Sequence, residues 1–88
     1  MSQSFEIEFK KSVSKDVRKL PQAVLIFIKK RILELSENPW PIYSKGLKGY
    51  PGYYRIRVSS YRVVYYVDMK RKLVVIIRIR HRKDVYRV

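Results

Sequence analysis

Between Tyr53 and Tyr66 the chain reads Tyr-Tyr-Arg-Ile-Arg-Val-Ser-Ser-Tyr-Arg-Val-Val-Tyr-Tyr, and few architectures accommodate such a run. Two stretches of alternating β-branched and aromatic residues flank Ser59-Ser60, the pattern of an antiparallel hairpin. With a two-residue loop at Ser59-Ser60, Val58 lies opposite Tyr61, Arg57 opposite Arg62 and Ile56 opposite Val63. One face of the hairpin then carries Tyr54, Ile56, Val58, Tyr61, Val63 and Tyr65, which is a core face. The reverse face gathers Arg55, Arg57 and Arg62. Directly opposed like charges destabilise a sheet. The cluster is therefore expected to receive something anionic, not to be a set of ordinary solvated strand positions.

The rest of the chain supplies the layers around this hairpin. Phe5, Ile7 and Phe9 alternate with Glu6, Glu8 and Lys10, which predicts a short half-buried strand. Ser12 or Ser14 can cap a short helix running to Lys19, with Val13, Val17 and Leu20 on one face. Leu20-Pro21 breaks it, and Pro21 suits the first turn of a second helix. That helix is expected to reach about Glu37, with Val24, Phe27, Ile28, Ile32 and Leu35 as its apolar stripe and Lys29, Lys30 and Arg31 as a solvated rim. Asn38-Pro39 ends it, and Trp40 is expected to pack against its end.

From Pro41 to Gly52 the chain is an irregular lead-in, with one short strand near Ser44 to Leu47. Its glycines do not form a nucleotide-binding loop, because a strand-to-helix context is missing. Asp68 to Lys72 reads as a charged turn. Leu73 to Ile77 is continuously apolar, the signature of a central strand buried on both faces, and Arg78-Ile79-Arg80-His81-Arg82 returns to alternation. The closing stretch from Asp84 leaves no room for a final helix, and Asp84 is expected to pair with a nearby arginine. The expected fold is one α+β domain over residues 1–88: an N-terminal strand and a two-helix hairpin packed on a mostly antiparallel four- to five-stranded sheet.

Charge narrows the function. The 88 residues carry a net charge of +14, with an excess of 5 in residues 1–49 and of 9 in residues 50–88. Such a field favours nucleic acid, an anionic membrane surface or an acidic protein. Arginines interleaved with tyrosines on strands suit RNA, because tyrosine stacks on exposed bases. Lipid would call for a basic amphipathic helix, and no apolar stretch approaches a membrane span. A signal-peptide pattern is missing too. The absence of cysteine suits a reducing cytoplasm, and one histidine with few carboxylates argues against a metal site or any other cofactor.

The run Leu47-Lys48-Gly49-Tyr50-Pro51-Gly52-Tyr53-Tyr54-Arg55-Ile56-Arg57, followed by Tyr61-Arg62-Val63-Val64-Tyr65, resembles the RelE branch of the RelE/ParE toxins of type II toxin–antitoxin systems. The ending Arg80-His81-Arg82-Lys83-Asp84-Val85-Tyr86 is similar to that family's basic C-terminal signature. Short motifs carry the resemblance, and their order and spacing extend it over nearly the whole chain. It implies a ribosome-dependent mRNA endonuclease held inactive by an acidic, RelB-like cognate antitoxin. It also implies higher-order toxin–antitoxin complexes that bind operator DNA through the antitoxin. By this resemblance Arg55 and Arg57 stand where the best-known family pattern has lysine, Arg62 and Arg82 match family arginines, and Tyr86 matches the C-terminal tyrosine.

The chemistry of metal-free RNA cleavage has its own requirements. The neighbouring 2′-hydroxyl attacks phosphorus, leaving a cyclic phosphate and a 5′-hydroxyl. This needs cations around the phosphorane, a base at the 2′-hydroxyl and an acid for the leaving oxygen. Arg55, Arg57 and Arg62 supply cations whose forks suit phosphate oxygens. A guanidinium with a pKa above about 12 is a poor proton acceptor, which leaves His81 and Tyr86 as candidates for proton transfer. Arg82 is a candidate for stabilising the transition state, and Lys48, Arg78 and Arg80 are candidate RNA contacts. Tyr50, Tyr53 and Tyr66 fit either a core or a base-stacking role. Two other readings compete: a ParE-like gyrase inhibitor on the same fold, and a non-catalytic RNA- or ribosome-binding module.

Overall fold

The computed structural model describes residues 4–81 and Lys83. Along the chain lie β1 (Glu6–Phe9), α1 (Lys11–Arg18), α2 (Gln22–Glu37), β2 (Lys45–Gly46), β3 (Tyr53–Val58), β4 (Tyr61–Asp68) and β5 (Leu73–His81). The five strands form one sheet in the order β1-β5-β4-β3-β2. Only the β1–β5 pairing is parallel; the others are antiparallel. The α+β class and the five-stranded count agree with the sequence expectation.

The β3–β4 hairpin forms in the register its sequence dictates, with Val58 opposite Tyr61, Arg57 opposite Arg62 and Ile56 opposite Val63. Ser59 takes a φ of 58° to close the tight turn, a left-handed conformation that two-residue hairpin loops require. Ile56, Val58, Val63 and Tyr65 are buried, and Tyr54 and Tyr61 pack against them. Against this face sit Val13 of α1 and Ile28, Ile32 and Leu35 of α2, each 3% exposed or less. Burial of one such side chain contributes roughly 1.5–3 kcal/mol, so this single layer of contacts holds both helices to the sheet. Tyr65 is fully buried, and its hydroxyl donates to the Pro39 carbonyl at 2.6 Å, fastening the exit of α2.

Several local expectations are corrected. Helix α1 starts at Lys11 with Lys10 as N-cap and no side-chain cap. Ser12 and Ser14 instead lie inside it, where Ser14 donates back to the Lys11 carbonyl. Phe27 leaves the apolar stripe of α2 and is 64% exposed, because it falls about 100° around the helix from Ile28. Phe9 ends β1 at 58% exposure. Trp40 lies just beyond α2 with its ring edge-on to Phe5 at 6.0 Å and to Tyr54 at 6.4 Å.

The strand β5 is central, but it is buried on both faces only at its start, where Leu73 and Val74 are adjacent. Leu73, Val74, Ile76 and Ile79 are buried, whereas Val75 and Ile77 are half-buried. Both helices cover the same side of the sheet. A register shift also breaks the alternation: Tyr65 pairs with Ile76 and Val64 with Arg78, so Ile77 is the extra residue. This bulge puts Val74, Ile76 and Ile79 on the helix side and sends Arg78 and Arg80 to the open side. Among the described residues no helix is long and apolar enough to cross a membrane.

Candidate nucleic-acid interface

The side of the sheet away from the helices is where the arginines collect. Arg62 on β4 lies opposite Arg57 on β3 and opposite Arg80 on β5. These three form one row across three strands, with neighbouring strands about 4.8 Å apart. Two residues further along, Val64 lies between Arg55 and Arg78, a second row about 7 Å from the first. Arg57 is exposed, Arg55 half-buried and Arg62 only 6% exposed. Five arginines thus share this face by register, and their forks are of a kind that suits phosphate oxygens.

Asp16 organises the β5 side of this face. The strand β1 covers the β5 edge only as far as Ile76, where the Lys10 N–H donates to the Ile76 carbonyl. Beyond that point α1 runs beside the bare edge. Ser12 donates its hydroxyl to the Ile77 carbonyl at 2.8 Å, and Asp16 accepts the Ile79 N–H at 2.9 Å. One helical turn separates the two side chains, so both reach the same edge. The Asp16 carboxylate, 6% exposed, also accepts both Nε and Nη2 of Arg78 at 3.1 Å and lies 4.0 Å from Nε of Arg80. Arg78 is therefore held in a bidentate pair and Arg80 is drawn toward the same carboxylate. These two candidate RNA contacts are thus held in place rather than freely solvated.

The other candidate residues are placed differently. His81 is paired with Tyr61, on the helix side of the sheet, and its ring meets the Tyr61 ring edge-on at 5.2 Å. The Lys83 N–H donates to its Nδ1 at 3.3 Å. It lines a cleft of about 310 Å³ with Asp16, Lys19, Leu20, Ile79 and Arg80. The structure thus brings His81 beside Arg80 at the β5 edge, and across the sheet from Arg55, Arg57 and Arg62. Lys48 is exposed in the loop before β3, at the end of the sheet away from the hairpin turn. Arg82, Asp84 and Tyr86 lie outside the described residues. Among the described residues no group of three His, Cys, Asp or Glu side chains could hold a metal ion.

Asp16 is the residue that the sequence argument overlooked. It had a signal, since it is the only acid between Glu8 and Glu34 and follows Ser12 by four positions. In a chain this basic, a lone carboxylate inside a short helix marks a point where cations must be held.

Comparison with known proteins places this architecture. Residues 7–86 match the family model described as the ParE toxin of the type II toxin–antitoxin system parDE. The mRNA interferase toxin RelE of Escherichia coli is 33% identical over 87 residues, covering 94% of this chain and 90% of that protein. Toxin RelE3 of Methanocaldococcus jannaschii is 33% identical over 85 residues, covering 92% and 94%. The toxin in the intact RelBE toxin–antitoxin complex of Escherichia coli superposes with a TM-score of 0.79 at 31% identity, covering 89% of this chain and 96% of that one. On the family match over residues 7–86, the 33% identity and the shared fold, the chain belongs to the RelE family of toxins within the RelE/ParE superfamily.

Proposed function

We propose that this chain is an endoribonuclease toxin that cleaves mRNA in the ribosomal decoding site, without a metal ion, and that an acidic RelB-like antitoxin keeps it inactive. The observation that carries the proposal is the row Arg57–Arg62–Arg80 on the uncovered face of the sheet. Guanidinium forks suit phosphate oxygens, and a row of them at strand spacing follows a phosphate chain. When the 2′-hydroxyl attacks, charge grows on the non-bridging oxygens, and guanidiniums already fixed by the sheet stabilise it without reorganising. The positive field of these arginines also repels a divalent cation, which favours a metal-free mechanism.

Proton transfer does not fall to His81 in this reading, because the sheet separates it from Arg57 and Arg62. Tyr86 and the ribosome's own groups remain to position and deprotonate the 2′-hydroxyl. Dependence on the ribosome suits a domain whose described residues offer cations on this face without an adjacent base. The antitoxin has a surface to use as well. An apolar groove of about 690 Å³ opens between α1, α2 and the end of β1, lined by Val17, Leu25 and Leu33 with Lys11 and Lys29 at its rim. An acidic amphipathic segment would bury its apolar side there and pair its charges with the lysines. Any operator binding would then run through the antitoxin.

The match to a family model named for ParE favours a second reading, an inhibitor of DNA gyrase on the same fold that cleaves nothing. Induction in a bacterial host followed by primer extension on an abundant mRNA separates the two. New 5′ ends within codons, lost in Arg57→Ala and absent when translation is blocked, are expected. Growth arrest with intact mRNA and accumulating DNA breaks would transfer the assignment to gyrase.

A further inference from the structure

Three tyrosines occupy the end of the open face opposite the hairpin turn. Tyr53 and Tyr66 are cross-strand partners, and alternation along β3 and β4 puts them on the arginine side. Their rings lie 4.9 Å apart at 53°. The Tyr50 ring meets Tyr53 edge-on at 6.3 Å and is itself 64% exposed. On the other side of the same strands, Tyr54 and Tyr65 stack at 5.9 Å and belong to the core. The outer cluster has no such task.

The exposed ring is also held firmly. Tyr50 donates its N–H to the Leu47 carbonyl and its carbonyl accepts the Tyr53 N–H, both at 3.1 Å. Gly49 and Gly52 take φ values of 85° and 87° to make these turns. A side chain at Gly52 would strike the Tyr66 ring, which lies 2.6 Å from where its Cβ would be. The missing side chain lets Tyr66 lie flat against the backbone and close the back of the cluster. What remains is a rigid aromatic shelf with one open ring.

We propose that Tyr50, Tyr53 and Tyr66 form a stacking subsite for an unpaired nucleobase of the RNA strand whose phosphates the arginines hold. The inference rests on the RNA-binding reading above and extends it. Tyr53 and Arg55 are two residues apart on one face, about 7 Å, so a base on the shelf leaves its backbone beside the guanidiniums. Stacking on an aromatic ring tolerates any base and resists salt, whereas phosphate contacts weaken as salt rises. The shelf therefore fixes the strand's register while the arginines fix its path.

The test is fluorescence anisotropy with a labelled, unstructured RNA of about ten nucleotides, within the span of small single-strand binders, titrated at several salt concentrations. Tyr50→Leu is expected to weaken binding by about fivefold or more, the equivalent of losing one stacked base, with an unchanged salt slope. Tyr50→Phe is expected to bind like wild type, and an RNA with abasic sugars is expected not to distinguish Tyr50→Leu from wild type. Arg57→Gln should instead lower the salt slope by about 0.7. Wild-type affinity in Tyr50→Leu alongside weakened Arg57→Gln overturns the shelf alone. Equal loss on intact and abasic RNA also overturns it, since the effect would then be structural. Failure of the wild-type protein to bind at low salt removes the RNA-binding face and the shelf with it.

Discussion

Removing the Asp16 carboxylate is the perturbation that most directly tests how the sheet edge is held. In Asp16→Ala the Ile79 N–H, within the buried edge of β5, loses the acceptor it holds at 2.9 Å, at a cost of about 1–3 kcal/mol. The bidentate pair with Arg78 is lost too. Breaking a fully buried pair costs about 3–5 kcal/mol, but the Arg78 side chain is 37% exposed and water takes over much of that interaction, leaving about 1 kcal/mol. The expected destabilisation is therefore about 3 kcal/mol, a large fraction of the roughly 5–15 kcal/mol typical of a domain. Asp16→Asn keeps one carbonyl oxygen for Ile79 and loses only the charge, so it should cost about 1–2 kcal/mol. Urea unfolding followed by Trp40 fluorescence measures both, at constant m-value. Equal losses in the two variants would mean that the ion pair, not the backbone acceptor, does the holding. A loss below about 0.5 kcal/mol in Asp16→Ala, the range of ordinary surface changes, would refute the edge argument altogether. Asp16→Asn should also bind single-stranded RNA more tightly, because a carboxylate no longer competes with phosphate for Arg78 and Arg80.

Burial pushes the Tyr65 hydroxyl from its usual 10.0 up to about 12. The folded state then holds a proton that the unfolded chain releases, so this stability is complete below pH 10 and is lost as pH rises toward 12. Its size is about 3 kcal/mol. Tyr65→Phe should flatten that part of the alkaline stability profile, and an identical slope in both proteins would count against it. Gly52→Ala should cost about 2–3 kcal/mol, from left-handed strain and the clash with Tyr66. A Tyr66→Ser background should remove the clash and leave about 1–2 kcal/mol, as read by urea unfolding. Arg57→Gln relieves a like-charge pair with Arg62 and should stabilise the protein by about 0.5–1 kcal/mol at low salt. The gain should shrink in 0.5 M salt, where the screening length falls to about 4 Å. A lower thermal midpoint at low salt would show Arg57 to be structural.

The sequence revealed those parts of the fold whose periodicity is local. Alternation between Tyr53 and Tyr66 determined the hairpin register, and a 3.6-residue stripe determined which side of α2 is buried. It failed where a neighbouring element intervened. Leu73 and Val75 are apolar on the side that the helices leave uncovered, so a strand with helices on one side only read as doubly buried. Phe27 resembled a core residue until the position of β3 limited how much of α2 could be covered. The site was legible to the same degree. Arg55, Arg57 and Arg62 converge within one hairpin and could be placed from sequence. The coupling of Arg78 and Arg80 to Asp16 spans more than sixty positions, and no local pattern encodes it. His81 could be given a chemical role from its type, but its side of the sheet depends on the bulge four residues earlier.

The two faces of this sheet solve opposite problems. On the helix side Ile56, Val58, Val63, Tyr65, Val74, Ile76 and Ile79 pack into the core, and that side supplies the folding free energy. On the open side, arginines lie opposite one another at strand spacing, and directly opposed like charges disfavour folding. The placement of Asp16 shows how the conflict is contained. It lies at the edge, where a carboxylate can satisfy a bare strand N–H and draw Arg78 and Arg80 into place. A carboxylate at the centre, at Val64 for instance, would stabilise the protein further and would occupy the position that a phosphate group is proposed to take. Under the proposed RNA-binding reading the excess positive charge of this face is the basis of binding, and the same charge suits an acidic protein partner.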